Sequence, residues 1–206
     1  MPAKNKVPEI KKQNRSALAF ENAFFTLLET TDCSKISVSD ILTLSGYSRT
    51  AFYSNYLDKA DFIDQTLFTE VDRHVRCVYD SVHKKQELFD GLTYLPMLNL
   101  FRHVYKHRSL YHALFASKIT GWNTVRFITE CRERFEKTVY VEIPQFPQLD
   151  YPLYNYIRTA NNIMYISYWD EQNFAQSPEY MAEQAGIVLK IEESPISLTK
   201  VIQTAE

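Results

Sequence analysis

No proline lies between Pro8 and Pro96, and Gly46 is the only glycine among the first 90 residues. A stretch of that length without helix breakers permits long helices. Apolar residues recur at intervals of three and four nearly everywhere in the chain, while alternation of period two is scarce, so the sequence predicts an all-α fold. With 206 residues, 45% of them apolar and 23% charged, the composition is globular and ample for a core without disulfide staples. Four glycines in total exclude a Gly-rich phosphate loop.

The periodicity divides the chain into successive helices. The first is expected at about Arg15 to Glu29, with Leu18, Ala23, Phe24, Leu27 and Leu28 on one broad apolar arc. A short second helix follows Ser37, which caps it with Asp40 three residues on as capping-box partner; Val38, Ile41 and Leu42 are its inward side chains. A third runs from about Arg49 to Tyr56 behind Ser48 as N-cap. The fourth starts at Asp58 and continues to about His83, because Ile63, Leu67, Val71, Val75, Val78 and Val82 recur at three or four. Further helices are expected at about Pro96 to His107, Leu110 to Phe115, Trp122 to Val141, Leu153 to Asp170 and Pro178 to Glu192, with Ile143 to Pro152 as a loop.

Between the second and third helices lie only Ser45, Gly46 and Tyr47. Two short helices joined by a tight glycine-containing turn form the helix-turn-helix unit, whose second helix enters the DNA major groove. The turn residue takes a left-handed backbone that a Cβ opposes. The second helix also needs small or polar residues where base edges and phosphates approach. Ser48, Arg49, Thr50, Ala51, Ser54 and Asn55 fit that need, while Phe52 and Tyr56, four apart, point inward as anchors. Ser37 and Ser48 each stand at a helix amino end whose free N–H groups favour phosphate.

The runs Ile36-Ser37-Val38-Ser39-Asp40-Ile41, Ser45-Gly46-Tyr47-Ser48-Arg49-Thr50-Ala51-Phe52-Tyr53 and Tyr56-Leu57-Asp58-Lys59-Ala60-Asp61-Phe62 resemble the signature of the tetracycline-repressor (TetR) family of bacterial regulators. The resemblance covers about residues 15 to 62. It implies a three-helix DNA-binding head at 15–62, a helical ligand-binding and dimerisation body at 63–206, and a homodimer on a near-palindromic double-stranded operator. It further implies Tyr53 and Lys59 at phosphates, Arg49 and Thr50 at bases or backbone, and Ser37 capping a helix against phosphate; with Ser48 and Asn55 these make up the candidate DNA contacts. Ala51 and Asn55 depart from the residues usual in the family at their positions, commonly threonine and an aromatic or histidine. In the body, Leu110-Tyr111-His112-Ala113-Leu114-Phe115, Trp169 and Ser177-Pro178-Glu179 are similar to a subgroup that includes dihydroxyacetone-kinase regulators.

The last two helices of the family usually form the dimer, and here they offer Leu153, Ile157, Met164 and Tyr168, then Met181, Ala185, Val188 and Leu189; as intramolecular core these stripes need no partner. Candidate walls of a ligand cavity are Phe101, Tyr105, Tyr111, Phe115, Trp122, Phe127, Tyr165 and Trp169, each with plain core as its alternative. His103 and His107 share a helix face, but no HExxH motif accompanies them, so they read as a polar pocket edge or solvated face and no metal or cofactor is expected.

Charge is uneven. Residues 1 to 20 carry five Lys and Arg against one Glu, and residues 61 to 206 carry 15 against 19 acidic groups. A basic amino-terminal tail, 1–14, on a mildly acidic body suits an anionic partner for the first segment alone. Cys33, Cys77 and Cys131 are odd in number and far apart, which is neither a disulfide framework nor a zinc pattern and fits a reducing compartment. Without a signal peptide or an apolar run of membrane length, the chain reads as cytoplasmic. No GxSxG, Walker lysine or paired-carboxylate arrangement stands out, so no enzyme is expected. The expected function is a dimeric DNA-binding repressor controlled by a small molecule; the alternative is a helical co-activator that acts through protein contacts without binding DNA.

Overall fold

The computed structural model describes residues 14–83, 94–138 and 147–192, and the basic tail lies outside them but for Asn14. Among these residues there are nine α-helices and no strand: α1 Arg15–Leu28, α2 Val38–Ser45, α3 Arg49–Tyr53, α4 Lys59–His83, α5 Tyr94–Lys106, α6 Arg108–Phe115, α7 Thr124–Thr138, α8 Tyr151–Glu171 and α9 Pro178–Glu192. The helix-turn-helix segment and the long α4 stand where the periodicity puts them.

The differences have local causes. α3 ends three residues early because Ser54 and Asn55 turn their side chains onto the Ala51 carbonyl, at 2.9 and 2.7 Å, and compete with a further helical turn. α8 begins at Tyr151, not Leu153, since the Asp150 carboxylate accepts from the Leu153 amide at 3.0 Å and Pro152 sits inside the first turn, where its missing N–H costs nothing. In α1 the buried face is Ala17, Phe20, Glu21, Ala23, Phe24 and Phe25, and Leu18, expected on that face, is exposed.

The head is an aromatic core. Phe20 meets the edge of Phe52 at 5.3 Å, Phe24 that of Phe62 at 5.4 Å, and Tyr56 lies 5.0 Å from Phe62. Phe20, Phe24, Phe52 and Phe62 have no exposure and join α1 and α3 to the start of α4, and edge contacts of this kind add about 0.5 to 1.5 kcal/mol each beyond area burial. In the body, α5 packs between α4 and α9, and α7 lies against both α4 and α8. Trp169 of α8 is the centre of the carboxyl-terminal half: its ring touches Phe101 at 5.5 Å and Phe174 at 5.1 Å, and its indole donates to the Gln176 carbonyl at 3.1 Å.

Gly46 closes α2 at φ 72° and ψ 15°, the left-handed region, with its amide bonded to the Leu42 carbonyl. A Cβ there would meet no atom within 4 Å, so its cost is backbone conformation and not collision. Gly46→Val is expected to destabilise the protein by about 1 to 2 kcal/mol. A urea midpoint equal to wild type would remove the left-handed turn from the account.

Candidate nucleic-acid interface

Ser37 and Ser48 are the caps the sequence requires. The Ser37 hydroxyl accepts from the Asp40 amide at 3.2 Å and donates to the Asp40 carboxylate at 2.7 Å, and that carboxylate also takes the Ser37 amide at 2.8 Å. Those bonds, the side-chain one first, hold the Asp40 carboxyl below its ordinary range. Ser48 accepts from the Ala51 amide at 3.2 Å. Both serines are exposed, so α2 and α3 present their amino ends to solvent.

The next residues form a polar face on α3. Arg49 and Thr50 are exposed, and Tyr53 at its end is 49% exposed with its ring edge on Phe52. The Arg49 guanidinium donates to the Ser39 hydroxyl of α2 at 3.2 Å, one bond out of five available donors. Ser39 was not among the candidate contacts, because nothing in a linear reading places it ten residues away against Arg49. Inward, Phe52 fixes the helix on Phe20, so the polar face is carried by a rigid support.

Two candidates stand differently. Asn55 is half-buried, with its amide nitrogen on the Ala51 carbonyl and on Ser16 at 3.3 Å, while its oxygen accepts from Asn14 at 2.6 Å. It joins the end of α3 to the start of α1. Lys59 begins α4 and donates to the Cys33 carbonyl at 2.7 Å, which anchors the loop between α1 and α2. Four candidate groups, Ser48, Arg49, Thr50 and Tyr53, therefore share one outward face, and Asn55 and Lys59 also serve as fasteners behind it.

Behind the head lies a buried charged network that the sequence reading missed. Glu21 of α1 receives Arg73 of α4 in a bidentate pair at 2.6 and 2.7 Å. Arg73 also stands 3.6 Å from Glu70, whose other oxygen accepts from the Tyr111 hydroxyl at 2.9 Å and from His103 at 2.5 Å. His74 meets the same tyrosine oxygen at 3.0 Å. Because the Tyr111 proton goes to Glu70, His74 supplies its Nδ1–H to that oxygen. Burial raises the Glu70 carboxyl, but the charge and hydrogen bond of the His103 ring, with His107 and Arg73, outweigh it and bring the pKa down to about 2. His103 and His107 are thus not a solvated edge: one serves this network, and the other packs its ring on Phe25 at 4.9 Å. The signal was present in the sequence, since Glu21, Glu70 and His74 each interrupt an apolar stripe.

Of the eight aromatic candidates for a cavity, Phe101, Tyr105 and Trp169 form one ring cluster and Tyr111, Phe115 and Phe127 another, Trp122 lies against Phe68, and Tyr165 packs half-buried against the core. Phe101, Tyr111, Trp122, Phe127 and Trp169 are buried. A cleft of about 60 Å³ opens elsewhere, between α4, α7 and α8. Val75, Val78, Cys131 and Phe135 form its apolar side, and His74, Arg158, Thr159 and Asn162 its polar one; none of the eight aromatic candidates lines it. No group of three or more His, Cys, Asp or Glu able to hold a metal occurs among the described residues, and no described helix is long and apolar enough to cross a membrane.

No protein-family model matches the sequence, and no curated protein matches it. Solved structures do match. TetR family repressor AlkX from Dietzia sp., implicated in biodegradation of n-alkanes, is 16% identical with a TM-score of 0.54, over 86% of this chain and 95% of that one. The dihydroxyacetone kinase operon activator DhaS is 15% identical with a TM-score of 0.55, over 86% and 96%. A TetR transcriptional regulator from Streptococcus agalactiae is 18% identical with a TM-score of 0.52, over 85% and 93%. From the capped helix pair around Gly46 to the helical body behind it, the chain has the TetR-like fold.

Proposed function

We propose that the chain is a dimeric DNA-binding transcriptional regulator that reads a near-palindromic operator with α3 and whose grip is set by a small molecule in the helical body. The observation that carries this reading is the exposed polar face of Ser48, Arg49, Thr50 and Tyr53, mounted on an aromatic core and turned outward by a left-handed Gly46. Helix amino ends and a guanidinium with free donors suit phosphate and base edges. The neighbours include a repressor and an operon activator, and repression is the simplest mode for a protein of this build.

Mobility shifts with duplexes from the promoter beside its own gene test the reading. With an operator in hand, Arg49→Ala is expected to narrow the gap between operator and scrambled DNA by about 1 to 3 kcal/mol. Equal losses on both duplexes would make Arg49 a phosphate contact. A second reading, a co-activator acting through protein contacts, draws on Asn55 and Lys59, whose polar ends hold partners within the chain. Failure to shift any promoter duplex would favour it.

Dimerisation has its support in α8. Leu153, Ile157, Met164 and Tyr168 are all about half exposed, an apolar stripe that the fold leaves outward. Of the expected α9 stripe, Met181 and Ala185 are buried within the chain, Val188 is exposed, and the side chain of Leu189 lies outside the described residues. A two-fold pairing through α8 sets the two α3 helices about one DNA turn, ~34 Å, apart. Light scattering at micromolar concentration is expected to give twice the 24.2 kDa chain mass, and a single-chain mass would count against the pairing.

A further inference from the structure

We propose that the cleft between α4, α7 and α8 binds a short-chain carboxylate through Arg158, and that its occupancy is passed from His74 through Tyr111, Glu70 and Arg73 to Glu21 in the head. The second half rests on the reading of the chain as a ligand-controlled regulator, whereas the first stands on the cleft alone.

The lining selects the ligand class. Arg158 is the only side chain there that carries full charge at neutral pH, because burial holds the His74 imidazole down to about 3. No carboxylate lines the cleft, and Arg158 makes no ion pair among the described residues. A cation left without a partner beside an apolar wall favours an anion with an apolar tail over a neutral or cationic molecule. Thr159 and Asn162 stand beside Arg158 on α8 and add a hydroxyl and a carboxamide. One turn before Thr159 on the same helix, the Asn155 side-chain oxygen is buried without a hydrogen-bond partner, so this stretch of α8 holds more polar capacity than the fold uses.

Size narrows the class. A water occupies about 10 to 15 Å³ on the same measure, so 60 Å³ holds about five non-hydrogen atoms. That is a three- or four-carbon acid and excludes a long acyl chain or an aromatic drug. Binding is non-covalent, since burial keeps the Cys131 thiol protonated and unreactive.

The route to the head is a continuous series of contacts. His74 lines the cleft and gives its Nδ1–H to Tyr111 at 3.0 Å. Tyr111 donates to Glu70 at 2.9 Å, Glu70 faces Arg73 at 3.6 Å, and Arg73 grips Glu21 of α1. A ligand that shifts the His74 ring disturbs the partner of Tyr111 and so the balance of Arg73 between two carboxylates. Tyr111 and Glu70 in the middle of the route are fully buried, which makes the disturbance hard to absorb locally.

The test titrates the full chain with sodium butyrate, n-butanol and n-butylamine, at constant ionic strength, by calorimetry and thermal melting. Saturable binding of butyrate is expected, with n-butanol and n-butylamine weaker by about tenfold or more, and Arg158→Met, a change at an exposed residue, is expected to weaken butyrate by a similar factor. Absence of butyrate binding, equal binding of butanol, or an unaffected Arg158→Met protein would overturn the site. The relay is read without DNA, by hydrogen exchange of α1 amides relative to α9. Butyrate is expected to alter α1 exchange in wild type and to leave it unaltered in Tyr111→Phe, which should still bind butyrate. An identical α1 response in Tyr111→Phe would overturn the relay; if that variant fails to fold, Glu21→Gln replaces it with the same two outcomes. Since neither assay contains DNA, failure to bind an operator would fall on the functional reading and not on the site.

Discussion

Replacing Arg73 with methionine is expected to lower the unfolding free energy by about 3 to 5 kcal/mol. The reason is what the substitution leaves behind. The Glu21 and Glu70 side chains are 2% and 0% exposed, and Arg73 lies between them as the guanidinium that both face. Methionine fills most of the volume but supplies no donor, so two buried carboxylates lose their cation at once. Either they remain charged without compensation or they take up protons, and both routes cost several kcal/mol. Glu70 keeps His103 and Tyr111, while Glu21 loses its bidentate partner. Adding Glu21→Gln to Arg73→Met should therefore recover part of the loss, because a neutral amide tolerates burial better than a stranded carboxylate. Urea unfolding of the three proteins at one protomer concentration gives the comparison. A loss below about 1 kcal/mol in Arg73→Met, the size of a surface pair, would mean that water reaches this junction.

The same junction shows where reading a sequence stops. The helix-turn-helix was legible because its determinants are local: Ser37 with Asp40, Ser48 with Ala51, and Gly46 with Leu42 each act across no more than four residues. The aromatic anchors Phe52 and Tyr56 were legible because they must oppose a polar face on one short segment. Glu21, Arg73 and Glu70 meet through a separation of about fifty residues, and each alone looks like an ordinary charge on a helix. Glu70 is covered by His103 of α5 and Tyr111 of α6, 33 and 41 residues away, which no local rule places there. The aromatic candidates show the converse error. Phe101, Tyr111 and Trp169 were candidates because large rings line cavities, but rings also fill cores, and here Phe101 packs on Trp169 and Tyr111 on Phe127. The cleft is instead lined by smaller residues such as Val75, Thr159 and Asn162, whose types carry no such signal.

Acid is expected to destabilise the protein well before its carboxylates titrate. His74 is 3% exposed, and burial first, then the charge of His103, holds its pKa at about 3 against the opposing pull of Glu70. In the unfolded chain it returns to about 6.5. Between those values the unfolded state binds a proton that the folded state refuses, so stability falls as the pH is lowered. The contribution is complete above about pH 6.5 and shrinks by about 1.4 kcal/mol for each unit below it, until the folded imidazole itself protonates near pH 3. His107, lowered to about 4 mainly by burial, acts in the same direction, but its partial contact with water makes its share smaller. Glu70 belongs to a different window: its pKa is depressed from 4.5 to about 2, so its contribution is intact above pH 4.5 and is lost only below that. From pH 6.5 to 4.5 the histidines act alone, and His74 should account for roughly 2 to 3 kcal/mol. Urea unfolding at half-unit steps across that range, with protomer concentration fixed, measures the slope. His74→Gln keeps a donor for Tyr111 and removes the titration, so its slope should be shallower by about 1.4 kcal/mol per unit. A wild-type stability that stays flat to pH 5, or a His74→Gln slope equal to wild type, would place the His74 ring in contact with solvent and dissolve the acid sensitivity assigned to it.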